Sequence, residues 1–134
     1  MKIILISSLC LGLAACSTPI SKTEINNANF GVRPTDSDAI LKITNYLNAV
    51  LIDPDSLKIK CSEVLGKSWA KQNQFDKPDY GYLVACTVNS KNRMGGYAGG
   101  KLNHFLINNS SVKLFDYTGF VVDPSINHFN IIKN

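Results

Sequence analysis

The chain of 134 residues has few charged side chains, two histidines and one tryptophan. Charged residues make up 18% of the sequence, and the formal net charge at pH 7 is +4. A protein with so small an excess of positive charge is a poor candidate for a nucleic-acid-binding protein, although anionic surfaces would attract it weakly. The carboxylates are scattered along the chain, and no spacing marks two of them as an acid–base pair.

The chain also lacks an apolar run of the roughly 20 residues that a membrane-spanning helix needs. The apolar run Ile3–Leu13 follows the basic residue Lys2 and leads to small residues directly before a cysteine. This order is typical of a bacterial secretory signal. The four residues Leu13-Ala14-Ala15-Cys16 resemble the lipobox of bacterial lipoprotein precursors. The resemblance implies cleavage before Cys16, thioether lipidation of that cysteine and acylation of its new amino terminus.

Ser17 follows the lipidated cysteine. In enterobacterial lipoproteins an aspartate at this position retains the protein at the inner membrane, so Ser17 resembles the outer-membrane class. We therefore expect a protein of the cell envelope, lipid-anchored at the outer membrane and facing the periplasm. The alternative is an ordinary signal peptide that contains a cysteine. Residues 1–15 are the expected signal peptide, residues 16–34 a lipidated flexible tether, and residues 35–134 a single domain.

Two cysteines remain for the domain, because Cys10 leaves with the signal and Cys16 carries lipid. In an oxidising compartment, Cys61 and Cys86 indicate one disulfide. An alternative is a cysteine hydrolase that pairs Cys86 with His104, but its thiolate needs a helix amino terminus and Cys86 lies in a predicted strand.

A zinc site is a further alternative for the two cysteines. Its ligands would be Cys61, Cys86, His104 and His128. These residues have no closely spaced pair of the kind that zinc sites use. We therefore expect no catalytic residue, no metal and no cofactor.

The apolar pattern predicts an α+β domain. Pro34-Thr35-Asp36 predicts a helix start, and apolar residues at helical spacing continue until Pro54 ends the helix near Ile52. Alternation predicts strands at Leu57–Cys61, Tyr80–Val88, Lys101–Asn108 and Val112–Phe115. The segment Ser62–Asp79 is predicted as a long connection with a helical turn near Trp69. The expected fold is one N-terminal amphipathic helix packed on a small antiparallel sheet of about four strands.

A basic, glycine-rich segment joins two of the predicted strands. Gly95–Lys101 fits G-x-x-x-x-G-K, but Leu102 stands where a phosphate-binding loop needs Ser or Thr, and a strand follows instead of a helix. Glycines let backbone amides approach a ligand closely. The alternative is a wide turn whose polar side chains satisfy their own backbone. The candidate binding residues are Asn89, Lys91, Asn92, Arg93, Tyr97 and Lys101.

Three pieces of the chain together resemble a group of small exported bacterial and prophage proteins. The pieces are Asp53-Pro54-Asp55-Ser56, Cys86 and Asn89–Gly99, and they follow the pattern D-P-x-S, a strand with a cysteine, then N-x-K-N-x-x-G-G-Y-x-G. The resemblance covers about Ile40–Ile107 and implies a domain unit without an activity.

We expect a non-enzymatic binding or structural domain whose partner is an envelope polymer or a protein. The second hypothesis is an inhibitor or exclusion factor that acts on an envelope enzyme or phage component. The third is an envelope hydrolase that uses Cys86.

Overall fold

The computed structural model describes residues 20–72, 75–115 and 130–131. The expected signal peptide, Cys16 and residues 116–129 and 132–134 lie outside this part of the chain. The described residues form an antiparallel sheet with helices, and the α+β class is confirmed. No helix in these ranges is long and apolar enough to cross a membrane. The helices are α1 (Lys22–Asn27), α2 (Asp36–Val50) and a short 3-10 helix (Pro54–Ser56); the strands are β1 (Lys58–Cys61), β2 (Gly66–Ala70), β3 (Asp79–Asn89), β4 (Lys101–Asn108), β5 (Ser111–Phe115) and β6 (Asn130–Ile131).

The long strand β3 lies at the centre of the sheet. The strand order is β5-β4-β3-β2-β6, and β1 pairs with β3 on the same edge as β2. Strand β2 pairs with the first half of β3, and β1 pairs with the second half, where Lys58 lies opposite Asn89. Between them, Ser62 N donates to Ala85 O at 2.8 Å. Strands β1 and β2 therefore act as one interrupted strand that pairs with β3 along its full length.

The expectation of about four strands and one helix is corrected to six strands and two α-helices in the described residues. The long connection predicted for Ser62–Asp79 is wrong, because β2 runs through it and Trp69 lies in that strand. The buried positions of β2 are Gly66, Ser68 and Ala70. Small residues at the buried positions remove the apolar alternation from which a strand is predicted.

Helix α2 packs its apolar side on one face of the sheet. Thr35 caps the helix, its hydroxyl accepting from Asp38 N at 3.2 Å. Ala39, Ile43 and Leu47 are buried in the main core together with sheet residues. The sheet residues of this core include Tyr82, Val84, Cys86, Val88, Phe105 and Ile107. A second buried cluster on other sheet positions consists of Ala70, Leu83, Leu106 and Phe115.

The segment before α2, which falls within the tether expected for residues 16–34, carries a helix and packs on the core in its described part. Helix α1 begins after Ser21, whose hydroxyl accepts from Glu24 N at 3.1 Å. Phe30 is buried in the main core, with its ring edge-to-face at 5.4 Å from Tyr80. Burial raises the pKa of the Tyr80 hydroxyl, and the Glu24 carboxylate, which accepts a hydrogen bond from it, adds to the effect. Sequence reasoning missed this packing because the segment has no periodicity.

The last residue of β4 and the turn after it also hold this segment. Asn108 Nδ2 donates to Asn29 O at 2.7 Å, and Asn109 Oδ1 accepts from Val32 N at 3.0 Å. Gly31 has φ +73°, and a Cβ there would lie 2.6 Å from Asn108 Oδ1. Only glycine suits that combination of left-handed backbone and close approach.

Candidate functional site

The predicted disulfide between Cys61 and Cys86 is present. The two cysteines lie directly opposite each other on β1 and β3, with their Cα atoms 4.0 Å apart. The adjacent pair of Ser62 and Ala85 is hydrogen-bonded, which makes the cysteine pair a non-hydrogen-bonded one, where facing side chains lie closest. The bond leaves neither sulfur as a thiolate, so in this state neither one is a nucleophile or a zinc ligand.

The loop between β3 and β4 is an ordered turn, and Asn92 makes the hydrogen bonds that hold it together. The Asn92 side-chain oxygen accepts from Met94 N at 2.9 Å and from Gly96 N at 3.3 Å. The Asn92 amide donates to Gly96 O at 2.9 Å, and Gly95 takes φ +77°, which favours glycine. Asn92 is one of the candidate binding residues, and its backbone amide and side-chain oxygen make hydrogen bonds within the loop. The tip presents Arg93 and Met94 to solvent.

Ser56 connects this loop to the turn before β1. Its hydroxyl donates to Asp53 O at 2.7 Å and accepts from Lys91 N at 2.7 Å. Its carbonyl oxygen accepts from the Tyr97 hydroxyl at 2.9 Å. The D-P-x-S piece and the N-x-K-N piece of the sequence are therefore two parts of one hydrogen-bonded unit. Sequence reasoning did not select Ser56, although its place in D-P-x-S was the available signal.

Tyr97 is half-exposed and holds two lysines against its ring. Lys58 Nζ lies 4.2 Å from the ring centroid and Lys91 Nζ lies 5.8 Å from it. Both are within the range of a cation–π interaction. With its hydroxyl bound to Ser56, the ring is fixed in place, and it positions positive charge beside the loop. Lys58 was missed because the alternation of β1 explained it as an outward-facing strand residue.

Further cations lie at the same end of β3. Lys60 stands opposite Thr87, and Lys101 stands opposite Val88. Within the described residues, no acidic group lies in an ion pair with these cations, while Lys113 pairs with Asp79 at the other end of β3. We call this set the basic end of the domain; it consists of Lys58, Lys60, Lys91, Arg93 and Lys101.

The remaining polar groups near the loop add no further positive charge. Partial burial lowers the pKa of the His104 imidazole, which favours the neutral form of the ring. Asn89, the last residue of β3, has a buried side-chain oxygen with no hydrogen-bond partner among the described residues. Acidic residues close in sequence to Lys58 and Lys60 are Asp53 and Asp55, at the 3-10 helix, and Glu63, after β1.

The described side chains bring together no group of three His, Cys, Asp or Glu that could hold a metal ion. No protein-family model, curated protein or solved structure matches the chain. The site consists of lysine and arginine side chains at one end of β3, the ring of Tyr97 held by its hydrogen bond to Ser56, and the exposed tip of the loop at Arg93 and Met94.

Proposed function

We propose that the chain is a lipid-anchored protein of the cell envelope whose domain binds an anionic envelope polymer through its basic end, without catalysis. The anchor is the lipidated Cys16, and Ser17 favours the outer membrane, with the domain facing the periplasm. The lipobox Leu13–Cys16 supports this assignment. The partners are the membrane, through the lipid, and the polymer, through the basic end.

The observation that carries the binding proposal is that five cations lie at one end of β3, two of them against the ring of Tyr97 in the loop. Ser56 and Tyr97 brace the loop at 2.9 Å, so the cations do not depend on a flexible segment for their position. Preorganised charge loses less entropy on binding than charge on a mobile chain. Clustered charge of one sign also concentrates polyanions near the surface.

Charge neutralisation tests this proposal. The variant Lys91→Gln/Arg93→Gln should bind peptidoglycan sacculi and lipopolysaccharide about thirtyfold more weakly in co-sedimentation, since each of the two cations near an anionic surface contributes about 1 kcal/mol. The matched control is Lys22→Gln/Lys77→Gln, which removes the same charge from exposed positions outside the basic end. Circular dichroism verifies that both variants fold. Equal binding by wild type and both variants would rule out the basic end as the binding surface.

Labelling with palmitate tests the anchor. The wild-type protein should incorporate the fatty acid and fractionate with the outer membrane. The Cys16→Ser variant should incorporate none and should no longer be retained by that membrane. Wild-type protein that stays unlabelled would contradict the lipoprotein assignment.

A second candidate function is that of an inhibitor or exclusion factor, and Met94 favours it. This side chain is 94% exposed at the loop tip, next to Arg93. An exposed, flexible apolar side chain on a rigid turn suits insertion into a cleft of another protein. A Met94→Ser variant that loses a stoichiometric protein partner while keeping polymer binding would support this candidate.

A further inference from the structure

We propose that the basic end faces away from the bilayer that holds the lipid anchor, and that its ligand is the carboxylate-bearing peptidoglycan layer rather than the headgroups of that bilayer. This inference rests on the proposed function, namely the lipid at Cys16 and the binding role of the basic end. It adds a direction and a ligand class, and both follow from where the chain enters the domain.

The entering segment lies at the amino-terminal end of β3. Glu24 in α1 accepts a hydrogen bond from the Tyr80 hydroxyl at 3.4 Å. Phe30 packs on the same tyrosine, and Asn108, the last residue of β4, donates to Tyr80 O at 3.0 Å. Tyr80 is the second residue of β3. The side chains and backbone groups that fix the segment before α2 thus gather at one end of the central strand.

The basic end lies at the other end of the same strand. Asn89, where β3 stops and the loop begins, is separated from Tyr80 by nine residues of extended chain. A strand rises about 3.3 Å per residue, so the two ends are about 30 Å apart. The turn organised by Asn92 continues beyond the strand and carries Arg93 farther from the entry point.

The link between lipid and domain is too short to reverse this arrangement. A tether over residues 16–34 would let the domain turn freely, but α1 begins at Lys22 and Phe30 is already in the core. Only the stretch Ser17–Ser21 separates Cys16 from the helix. Five residues span at most about 17 Å when fully extended. The lipid therefore holds the α1 end of the domain at the bilayer and leaves the basic end distal to it.

The chemistry of the basic end fits a carboxylate-bearing glycan. Lys58 and Lys91 flank the fixed ring of Tyr97, which gives a cationic surface next to a half-exposed aromatic ring. Peptidoglycan presents the carboxylates of its peptide stems beside sugar rings, so both parts of the surface would have a counterpart. Lysine and arginine form charge-assisted hydrogen bonds with carboxylates.

The first experiment measures the height of each end above the bilayer. The lipidated protein is reconstituted in phosphatidylethanolamine–phosphatidylglycerol vesicles, with a fluorophore on Met94→Cys or on Asn27→Cys, both at exposed positions. Energy transfer to an acceptor lipid should be severalfold weaker from position 94 than from position 27. Equal or stronger transfer from position 94 would overturn the orientation.

The second experiment separates this inference from the proposed function. Protein with Cys16→Ser is mixed with sacculi or with vesicles of the same two lipids, and the Lys91→Gln/Arg93→Gln variant is measured beside it. Binding to sacculi that falls about thirtyfold in the variant, with little binding to vesicles, supports the inference. Charge-dependent binding to vesicles alone would overturn the inference and keep anionic binding. Binding to neither by the protein with intact cations would overturn the proposed function itself.

Discussion

Ser56 shows how one small side chain can couple two distant parts of the chain. Its hydroxyl is used twice, as a donor to the turn before β1 and as an acceptor for the loop amide of Lys91, 35 residues away. Ser68 on β2 is the opposite case, since its hydroxyl is fully buried and has no hydrogen-bond partner among the described residues. A buried hydroxyl stabilises a fold only when its hydrogen bonds are made.

Alanine substitutions of the two serines should therefore have different effects on the free energy of unfolding. Ser56→Ala leaves the Lys91 amide without its acceptor and should lower the free energy of unfolding by about 1–3 kcal/mol. Ser68→Ala removes an unsatisfied hydroxyl and should be neutral or stabilising. Urea denaturation of both variants measures the difference. A Ser68→Ala variant as unstable as Ser56→Ala would show that the Ser68 hydroxyl is satisfied in solution.

At the same scale, the candidate site was predicted only in part. The sequence drew attention to Lys91, Arg93 and Tyr97, because basic and aromatic residues stand out beside glycines. It did not reveal Ser56 or Lys58, because their roles depend on contacts with residues more than 30 positions away. Composition marks which residues are unusual, but long-range pairing decides which residues become neighbours.

The secondary-structure elements were predictable where burial gives a periodic pattern. Strand β4 was predicted at Lys101–Asn108, where the structure has it, because its apolar residues alternate. Strand β2 was missed because its buried residues are small. The segment around α1 was missed for a different reason: the buried Phe30 and the partly buried Ile25 and Ala28 attach it to the core, and these residues are too few to make a periodic pattern.

Phe30 offers a direct test of whether residues 20–34 belong to the domain. Phe30→Ala should lower the free energy of unfolding by about 3 kcal/mol, because it empties a buried site against Tyr80. Val32→Ala is the matched control, since Val32 is 77% exposed and should change stability by less than about 0.5 kcal/mol. If Phe30→Ala does not fold, the milder Phe30→Leu gives the same comparison. Equal stability of the alanine variants would restore a flexible tether.

At the scale of the whole molecule, β3 joins two ends of the domain. One is the entry end, where the segment before α2 packs on Tyr80, and the other is the basic end. The entry end is fixed by α1, Phe30 and the β4–β5 turn. The basic end depends on β1, which supplies Lys58 and Lys60 and pairs with β3 over only four residues. So short a strand gains little stability from its backbone hydrogen bonds to β3. The disulfide at its last residue, Cys61, therefore contributes much of what holds β1 in place.

Removing the disulfide should therefore weaken both stability and binding. The bond closes a loop of 25 residues, and its loss should lower the free energy of unfolding by about 3 kcal/mol on the chain-entropy model. The Cys61→Ala/Cys86→Ala variant should also bind sacculi more weakly, because β1 carries two cations of the basic end.

A reductant provides the control for this last experiment. Dithiothreitol should destabilise the wild-type protein in urea denaturation and leave the double-alanine variant unchanged, since only the former has a bond to lose. Thiol labelling of the native protein should find neither Cys61 nor Cys86 free. If both cysteines are labelled before unfolding, the disulfide is absent in solution. The positions of Lys58 and Lys60 must then depend on the four-residue pairing of β1 with β3 and on the contact of Lys58 with Tyr97.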